Sequence, residues 1–256
     1  MKKFSVLCYN IGGYELIKEI PAKFFDPDVD YVYVTDNGKI TSKTWRVITV
    51  GDLSGSVFDK CYQIRFFPFN YVNTDIVVRI DGSMLITGNL SDIVDVFNDG
   101  GYDAAVTIHP LRNTLTTEYD AWVRERKYQR KQADKILSFL RKEIGYDVDG
   151  YKGLYQGGFA VQRNTPFCNA WNMATYDMLK KLATAPDTIE RVNQTIWSVV
   201  LNTIFPYKKI MPLSADILNG SYLELCHHKT NKPCKVKPSI DPYMFDKPVD
   251  KIFFGK

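Results

Sequence analysis

Residues 73–83 constrain the fold of this chain more than any other segment. A short apolar run at residues 76–80, rich in β-branched side chains, ends abruptly at Asp81-Gly82-Ser83. The pattern predicts a buried strand that delivers a carboxylate to the edge of a sheet, where it can meet a divalent ion carried by a nucleotide diphosphate. Since Asp-Gly is also an ordinary turn, the other runs along the chain decide between the two interpretations.

Four further apolar runs have the length of a strand. They are residues 4–9, 31–36, 45–50 and 104–108. Their alternation with helical stretches predicts an α/β fold with a mostly parallel sheet and helices on both faces. Polar residues end three of the five runs, at Tyr9-Asn10, at Thr35-Asp36 and at Asp81-Gly82-Ser83. Because the carboxyl ends of parallel strands lie at one edge of a sheet, these residues predict a nucleotide site there.

Helical periodicity dominates the second half of the chain. Residues 117–144 predict one long helix with a basic face, and Gly145 follows as a stop signal. Two more helices are predicted over about residues 171–182 and 192–204, each followed by a proline. Residues 12–19 predict a loop that enters a short helix.

Composition narrows the choice of partners. The chain has 256 residues, 45% apolar and 24% charged, which is typical of a globular protein. Its formal charge of +4 permits an anionic ligand, but we expect no nucleic acid as a partner. No run of about 18 apolar residues predicts a membrane span. The five dispersed cysteines, with no C-x-x-C pair, favour reduced thiols and a cytoplasmic location.

Several short motifs resemble one family of enzymes. The segments Arg65-Phe66-Phe67-Pro68, Tyr71 and Ile80-Asp81-Gly82-Ser83 are similar to a family of glycosyltransferase-like domains from plants and bacteria, whose plant members are linked to mucilage polysaccharide. Residues 31–36 also fit this family, and Arg191-Val192-Asn193-Gln194 resembles its Arg-Asp-Gln motif. More broadly, the chain resembles the GT-A class of nucleotide-sugar glycosyltransferases.

The resemblance covers residues 4–204 and implies a Rossmann-like GT-A fold. We expect one domain, with a nucleotide-binding half at about residues 1–110 and an acceptor half with a C-terminal tail at about residues 111–256. The implied activity is transfer of a sugar from a nucleotide-diphosphate donor to a glycan or glycolipid acceptor, in surface polysaccharide synthesis. An anionic membrane is an expected peripheral contact of the basic helix.

The resemblance also implies a divalent metal, Mn²⁺ or Mg²⁺. In GT-A enzymes an Asp-x-Asp at the end of the fourth core strand binds the metal and the sugar nucleotide, and the matching residues here are Asp81 and Ser83. A hydroxyl is a weaker and uncharged ligand compared with a carboxylate. Two alternatives follow: either a late histidine, for which His228 is the match, completes the metal site with Asp81, or no metal is needed.

Other candidate residues are expected to contact the donor nucleotide. Tyr9, Asn10 and Gly12 are expected to frame the nucleobase and ribose, since glycine lets the backbone approach a ligand closely. Asp36 is expected to contact the base or ribose, and Arg65 to neutralise the diphosphate. Each has a structural alternative, which is a tight turn, a capped strand end or a solvated surface charge.

The residues expected to contact the donor sugar or the acceptor come from the second half of the chain. Gln156, in a glycine-containing loop that precedes a strand, is expected beneath the donor sugar and acceptor. Asn193 and Gln194 are expected to contact sugar or acceptor by analogy with the family motif. Asparagine cannot act as the base of an inverting reaction, so its presence favours retention or a base elsewhere. Two other functions stay open, a nucleotidyltransferase and a non-catalytic protein that binds anionic ligands through the basic helix at residues 117–144.

Overall fold

The computed structural model of the chain describes residues 2–51, 53–109, 111–112, 114–124, 128–145, 153–183, 192–203, 209–226 and 232. Within these residues, strands and α-helices follow one another in the order β1 (Ser5–Asn10), β2 (Asp30–Thr35), β3 (Arg46–Thr49), α1 (Val57–Phe66), β4 (Ile76–Asp81), β5 (Met84–Ile86), α2 (Leu90–Asp99), β6 (Ala104–Ile108), α3 (Leu115–Arg124), α4 (Arg130–Ile144), β7 (Tyr155–Arg163), α5 (Pro166–Ala183), α6 (Asn193–Thr203), β8 (Ile210–Leu213) and β9 (Leu223–Leu225).

Seven of these strands form one central sheet in the order β3-β2-β1-β4-β7-β6-β8. Six run in the same direction, and β7 alone is antiparallel to both of its neighbours. The strand order reverses at β1, because the chain builds outward to β3 and then returns to place β4 on the other side of β1. In open α/β sheets ligands bind at such a switch point, outside the carboxyl ends of the strands.

Apolar residues on both faces of the sheet hold the helices in place. Val6 and Cys8 of β1 face one layer, which includes Phe97 of α2, whereas Leu7 faces the opposite layer, which includes Ile64 of α1. Helices α3 to α6 pack on the same side as α1, against the part of the sheet formed by β6 and β7. The predicted α/β class, the mostly parallel sheet and the helices on both faces are therefore confirmed.

The prediction of one long helix over residues 117–144 is wrong, because the chain forms α3 and α4 instead. The N–H of Tyr128 donates to the carbonyl oxygen of Trp122 at 3.3 Å, and the two rings meet edge to face with centroids 5.7 Å apart. Gln129 then starts the next helix, and its N–H donates to Oε1 of Gln132 at 3.0 Å. The basic face is consequently divided between two helices.

The short helix predicted within residues 12–19 is also wrong. Gly12 and Gly13 both have positive φ angles, 73° and 64°, which turn the chain after β1. The side-chain amide of Asn10 binds both the N–H and the carbonyl of Glu15, and those backbone groups are therefore used outside any helix. None of the described helices combines the length and the apolar composition needed to cross a bilayer.

Replacement of Gly145 tests the predicted helix stop, which the structure confirms. Gly145 has φ 66° and its N–H donates to the carbonyl oxygen of Arg141 at 3.1 Å, ending α4. Because a Cβ is disfavoured at this φ, Gly145→Ala should lower the free energy of unfolding by about 1 kcal/mol in urea denaturation. Gly51→Ala is the control, since Gly51 has no positive φ and open space around it. Equal stability of the two variants would contradict the assignment.

Candidate functional site

A cavity of about 500 Å³ opens at the carboxyl ends of β1 and β4, at the switch point of the sheet. Its wall is built from the end of β1 and the turn after it, one side of α1, the loop after β4 and the start of α6. Lining residues include Tyr9, Cys61, Arg65, Asp81, Ser83 and Asn193. A volume of this size accommodates a small-molecule ligand.

The turn after β1 is shaped by two polar side chains. Asn10 donates through Nδ2 to the carbonyl oxygen of Glu15 at 2.6 Å, and its Oδ1 accepts the Glu15 N–H at 3.0 Å. The carboxylate of Asp36, at the end of β2, accepts the N–H of Gly12 at 3.0 and 3.1 Å. Asn10 and Gly12 line the cavity, whereas Asp36 lies behind Gly12 and outside the lining. Asp36 thus acts on the shape of the cavity through the turn.

Arg65 brings a positive charge into the cavity wall from α1. Its side chain is 6% exposed, and NH1 donates to the Tyr9 hydroxyl at 3.1 Å and lies 3.5 Å from Oδ1 of Asp81. NH2 donates to the carbonyl oxygen of Gly157, and Nε has no hydrogen-bond partner among the described residues. Burial raises the pKa of Tyr9 to about 12, which keeps its hydroxyl neutral. Within the described part of the chain, the guanidinium therefore pairs with one carboxylate and has spare donor capacity.

The turn Asp81-Gly82-Ser83 lies against the segment that follows β1. A Cβ on Gly82 would approach Cγ of Glu15 to 3.2 Å and the Tyr9 carbonyl oxygen to 3.3 Å, so glycine permits this close packing. Nζ of Lys18 donates to the carbonyl oxygen of Gly82 at 2.7 Å and lies 3.6 Å from Oε2 of Glu15. Both charged side chains of this pair are buried. The ion pair holds the turn so that Asp81, whose side chain is 36% exposed, faces the cavity.

The glycine-containing segment predicted as a loop lies inside β7. Its register with β6 shifts, because Val106 pairs with Ala160 whereas Thr107 pairs with Gln156. The resulting bulge directs the Gly157 carbonyl at Arg65 and the Gly157 N–H at Oε1 of Gln194, 3.0 Å away. A Cβ on Gly157 would lie 2.5 Å from NH2 of Arg65, so any larger residue would require the Arg65 guanidinium to shift.

Three residues are predicted to contact the donor sugar or the acceptor, and one of them lines the cavity whereas the other two do not. Asn193, the first residue of α6, lines the cavity. Gln156 and Gln194 lie outside its lining and hold the bulge instead, since Oε1 of Gln156 accepts the N–H of Gly158 at 2.8 Å. These two glutamines therefore position Arg65 indirectly, through the carbonyl of Gly157.

A second guanidinium, that of Arg79 on β4, lies fully buried next to Arg65. Its NH1 donates to the backbone carbonyl of Arg65 at 2.9 Å, and its Cζ lies 5.2 Å from the ring centroid of Trp197. Trp197 in turn stacks on Trp171 with centroids 4.5 Å apart. Burial, with the charge of Arg65, lowers the pKa of Arg79 to about 9. Its Nε and NH2 have no hydrogen-bond partner among the described residues.

Three residues that shape the site, Glu15, Lys18 and Arg79, belong to no motif in the sequence. Arg79 interrupts the apolar run of β4, and that interruption is the available signal, since charged residues seldom lie inside a buried strand. Glu15 and Lys18 have only an i, i+3 spacing, which is common on protein surfaces. Their burial depends on tertiary contacts with Gly82.

The metal site implied by the resemblance is described only in part. Asp81 and Ser83 both line the cavity, whereas His228 lies outside the described residues. Within the described part of the chain no three His, Cys, Asp or Glu side chains are grouped closely enough to hold an ion. Mg²⁺ in nucleotide sites is commonly held by one or two carboxylates and the substrate phosphates, and a site based on Asp81 fits that pattern.

Comparison with known proteins identifies no family for this chain. Neither the scan against models of protein families nor the search of curated proteins found a match to this chain. The function must therefore be argued from the geometry and chemistry of the cavity.

Alkylation of Cys61 tests the burial of the cavity wall. Burial, together with the charge of Asp81, raises the pKa of the Cys61 thiol to about 11, and Arg65 opposes this shift. The thiolate is the reactive form, so labelling by iodoacetamide should rise about tenfold per pH unit from pH 7 to pH 10. Peptide mass spectrometry measures the rate, with glutathione as an exposed thiol control. A Cys61 rate that levels off near pH 8.5 would contradict the burial of this thiol.

Proposed function

We propose that this chain is a glycosyltransferase that takes a sugar from a nucleotide-diphosphate donor and transfers it to a glycan or glycolipid acceptor of a surface polysaccharide. The observation that carries the proposal is the meeting of Arg65 and Asp81 in a cavity at the switch point of the sheet. This is the edge at which α/β proteins bind nucleotides. The sequence motifs that resemble glycosyltransferases, around Arg65 and Asp81, converge on the same cavity.

Arg65 is the group that binds the diphosphate in this proposal. Transfer of the sugar leaves negative charge on the departing diphosphate, and a preorganised cation in a buried site stabilises that charge. Arg65 is held by Tyr9 and Gly157 in one orientation, and its charge is only partly offset by Asp81 at 3.5 Å. A planar guanidinium also presents parallel donors to phosphate oxygens.

Asp81 is the residue that would hold a divalent ion, with Ser83 beside it and His228 as the further ligand implied by the family resemblance. The ion would add positive charge at the diphosphate. Asp81 is suited to this role because its side chain remains partly exposed to the cavity at the end of β4.

Different lining residues suit different parts of the donor. Tyr9, Asn10 and Gly12 line the cavity at the end of β1 and in the turn after it, and we assign them to the nucleoside, with Asp36 as the residue that fixes the Gly12 turn. Asn193 is at the start of α6, where its amide can hydrogen-bond to sugar hydroxyls.

The alternative of a non-catalytic protein that binds anions rests on the basic face over residues 117–144 and on Ser83 in place of the second Asp of the Asp-x-Asp motif. That basic face is divided between α3 and α4, so no single helix presents all of it. No contact in the described residues favours a nucleotidyltransferase over sugar transfer. The glycosyltransferase is therefore the function to test first.

Donor binding and turnover test the proposal directly. Thermal shift with UDP-, GDP-, CMP- and dTDP-sugars, with Mn²⁺ or with EDTA, should identify one donor that stabilises the wild type. Release of the nucleotide from that donor should fall about a hundredfold or more in Asp81→Asn and in Arg65→Met, because each removes a charge beside the leaving phosphate. A CMP-sugar as the preferred donor would contradict a diphosphate leaving group.

Asp75→Asn is the matched control, since this exposed carboxylate precedes β4 at the opposite edge of the sheet. It should leave turnover unchanged. Absence of any donor-dependent shift in the wild type would refute the glycosyltransferase, and full turnover in Asp81→Asn would refute the site. Turnover that persists in EDTA would remove the metal from the proposal and leave Arg65 as its main cation.

A further inference from the structure

We propose that Arg79 is a positioning residue for the anion site, which fixes Arg65 from beneath the cavity and adds a second positive charge behind it. The inference rests on the proposed function only in that it concerns the same cavity. It extends to a residue that does not line the cavity and belongs to no sequence motif.

The contacts of Arg79 connect the two charged residues of the cavity. Arg79 lies on β4 two residues before Asp81, and its NH1 binds the carbonyl oxygen of Arg65 near the end of α1. The ring of Trp197, itself stacked on Trp171, packs on the guanidinium of Arg79. Arg79 therefore fixes the backbone of Arg65 relative to the strand that carries Asp81.

The charge of Arg79 is not balanced within the described residues. Arg65 and Arg79 are two buried cations, and the carboxylate that interacts with both is that of Asp81, which leaves an excess of one positive charge. Glu15, the other carboxylate of the cavity wall, pairs with Lys18. Nε and NH2 of Arg79 also lack hydrogen-bond partners within the described part of the chain. A buried charge of this kind destabilises the protein unless an anion offsets it.

An anion in the cavity would supply that compensation. Because Arg79 is fully buried, its field is weakly screened by salt and reaches a ligand bound by Arg65. Binding of a diphosphate would therefore gain from both guanidinium groups, although only Arg65 can contact it. Without a bound anion, the charge of Arg79 therefore lowers the stability of the protein.

Arg163 provides a matched control on the neighbouring strand. Its guanidinium also packs on an aromatic ring, that of Phe97, with Cζ at 5.2 Å from the centroid, and it also donates to a backbone carbonyl, that of Tyr102. It pairs in register with Ile76, at the amino end of β4 and hence at the edge of the sheet opposite to the cavity. Arg163 is less buried than Arg79, and its NH2 also donates to Oδ1 of Asn98 at 2.8 Å. Arg163→Met therefore removes the same charge and similar contacts at the edge of the sheet opposite to the cavity.

The experiment measures binding of inorganic pyrophosphate by isothermal titration calorimetry, at low and at high salt, together with thermal melting. Arg79→Met should bind pyrophosphate about tenfold more weakly or worse at both salt concentrations, because salt screens a buried charge only weakly. It should melt at or above the temperature of the wild type. Arg163→Met should bind pyrophosphate like the wild type.

Arg79→Lys shows whether pyrophosphate binding depends on the charge at position 79 or only on correct folding. It keeps a charged donor at the same position, so it should bind pyrophosphate more tightly than Arg79→Met does. Binding by Arg79→Lys no better than by Arg79→Met, together with lower melting temperatures for both Arg79 variants, would show a purely structural role and overturn the inference. Unchanged pyrophosphate binding in Arg79→Met, or no binding by the wild type, would also overturn it. Pyrophosphate binding that depends on Arg79 without turnover of any sugar nucleotide would refute the glycosyltransferase and leave this inference intact.

Discussion

The buried guanidinium of Arg65 is the group on which the rest of the site depends. It joins three separate parts of the fold, since it contacts Tyr9 of β1, Asp81 of β4 and the bulge of β7 at Gly157. Each of these contacts requires the neighbouring strand to end or bend at a particular residue. Arg65, on α1, therefore links three strands at the edge of the sheet where the cavity opens.

Close approach of backbones is what permits this arrangement. Gly157 leaves room for the guanidinium of Arg65, and Gly82 lets the turn after β4 pack against the segment after β1. The antiparallel strand β7 contributes a bulge at this edge of the sheet, and two glutamine side chains satisfy the N–H groups that the bulge exposes. Satisfying these donors stabilises the bulge, and the bulge holds the cation in one orientation, as the proposed binding of a diphosphate would require.

The outline of the fold could be predicted from the sequence, whereas the details of the site could not. Strands β1, β2 and β4 are readable because each is a short apolar run with a polar end, and Asp81 lies at such an end in the structure. The break between α3 and α4 carries no Gly or Pro signal, because it depends on the packing of Tyr128 on Trp122. Likewise, the bulge of β7 depends on its pairing with β6, which a single sequence does not reveal. The burial of Arg79 follows from which helices cover the face of β4.

The most direct test of the account is a crystal structure of the protein with the nucleoside diphosphate of its preferred donor. The account predicts that the diphosphate lies in the cavity at the ends of β1 and β4, with a phosphate oxygen within hydrogen-bonding distance of the Arg65 guanidinium. It also predicts that the nucleoside points toward Tyr9 and Gly12. A diphosphate bound elsewhere, for example on the basic surface of α4, with Arg65 uncontacted, would contradict the central claim.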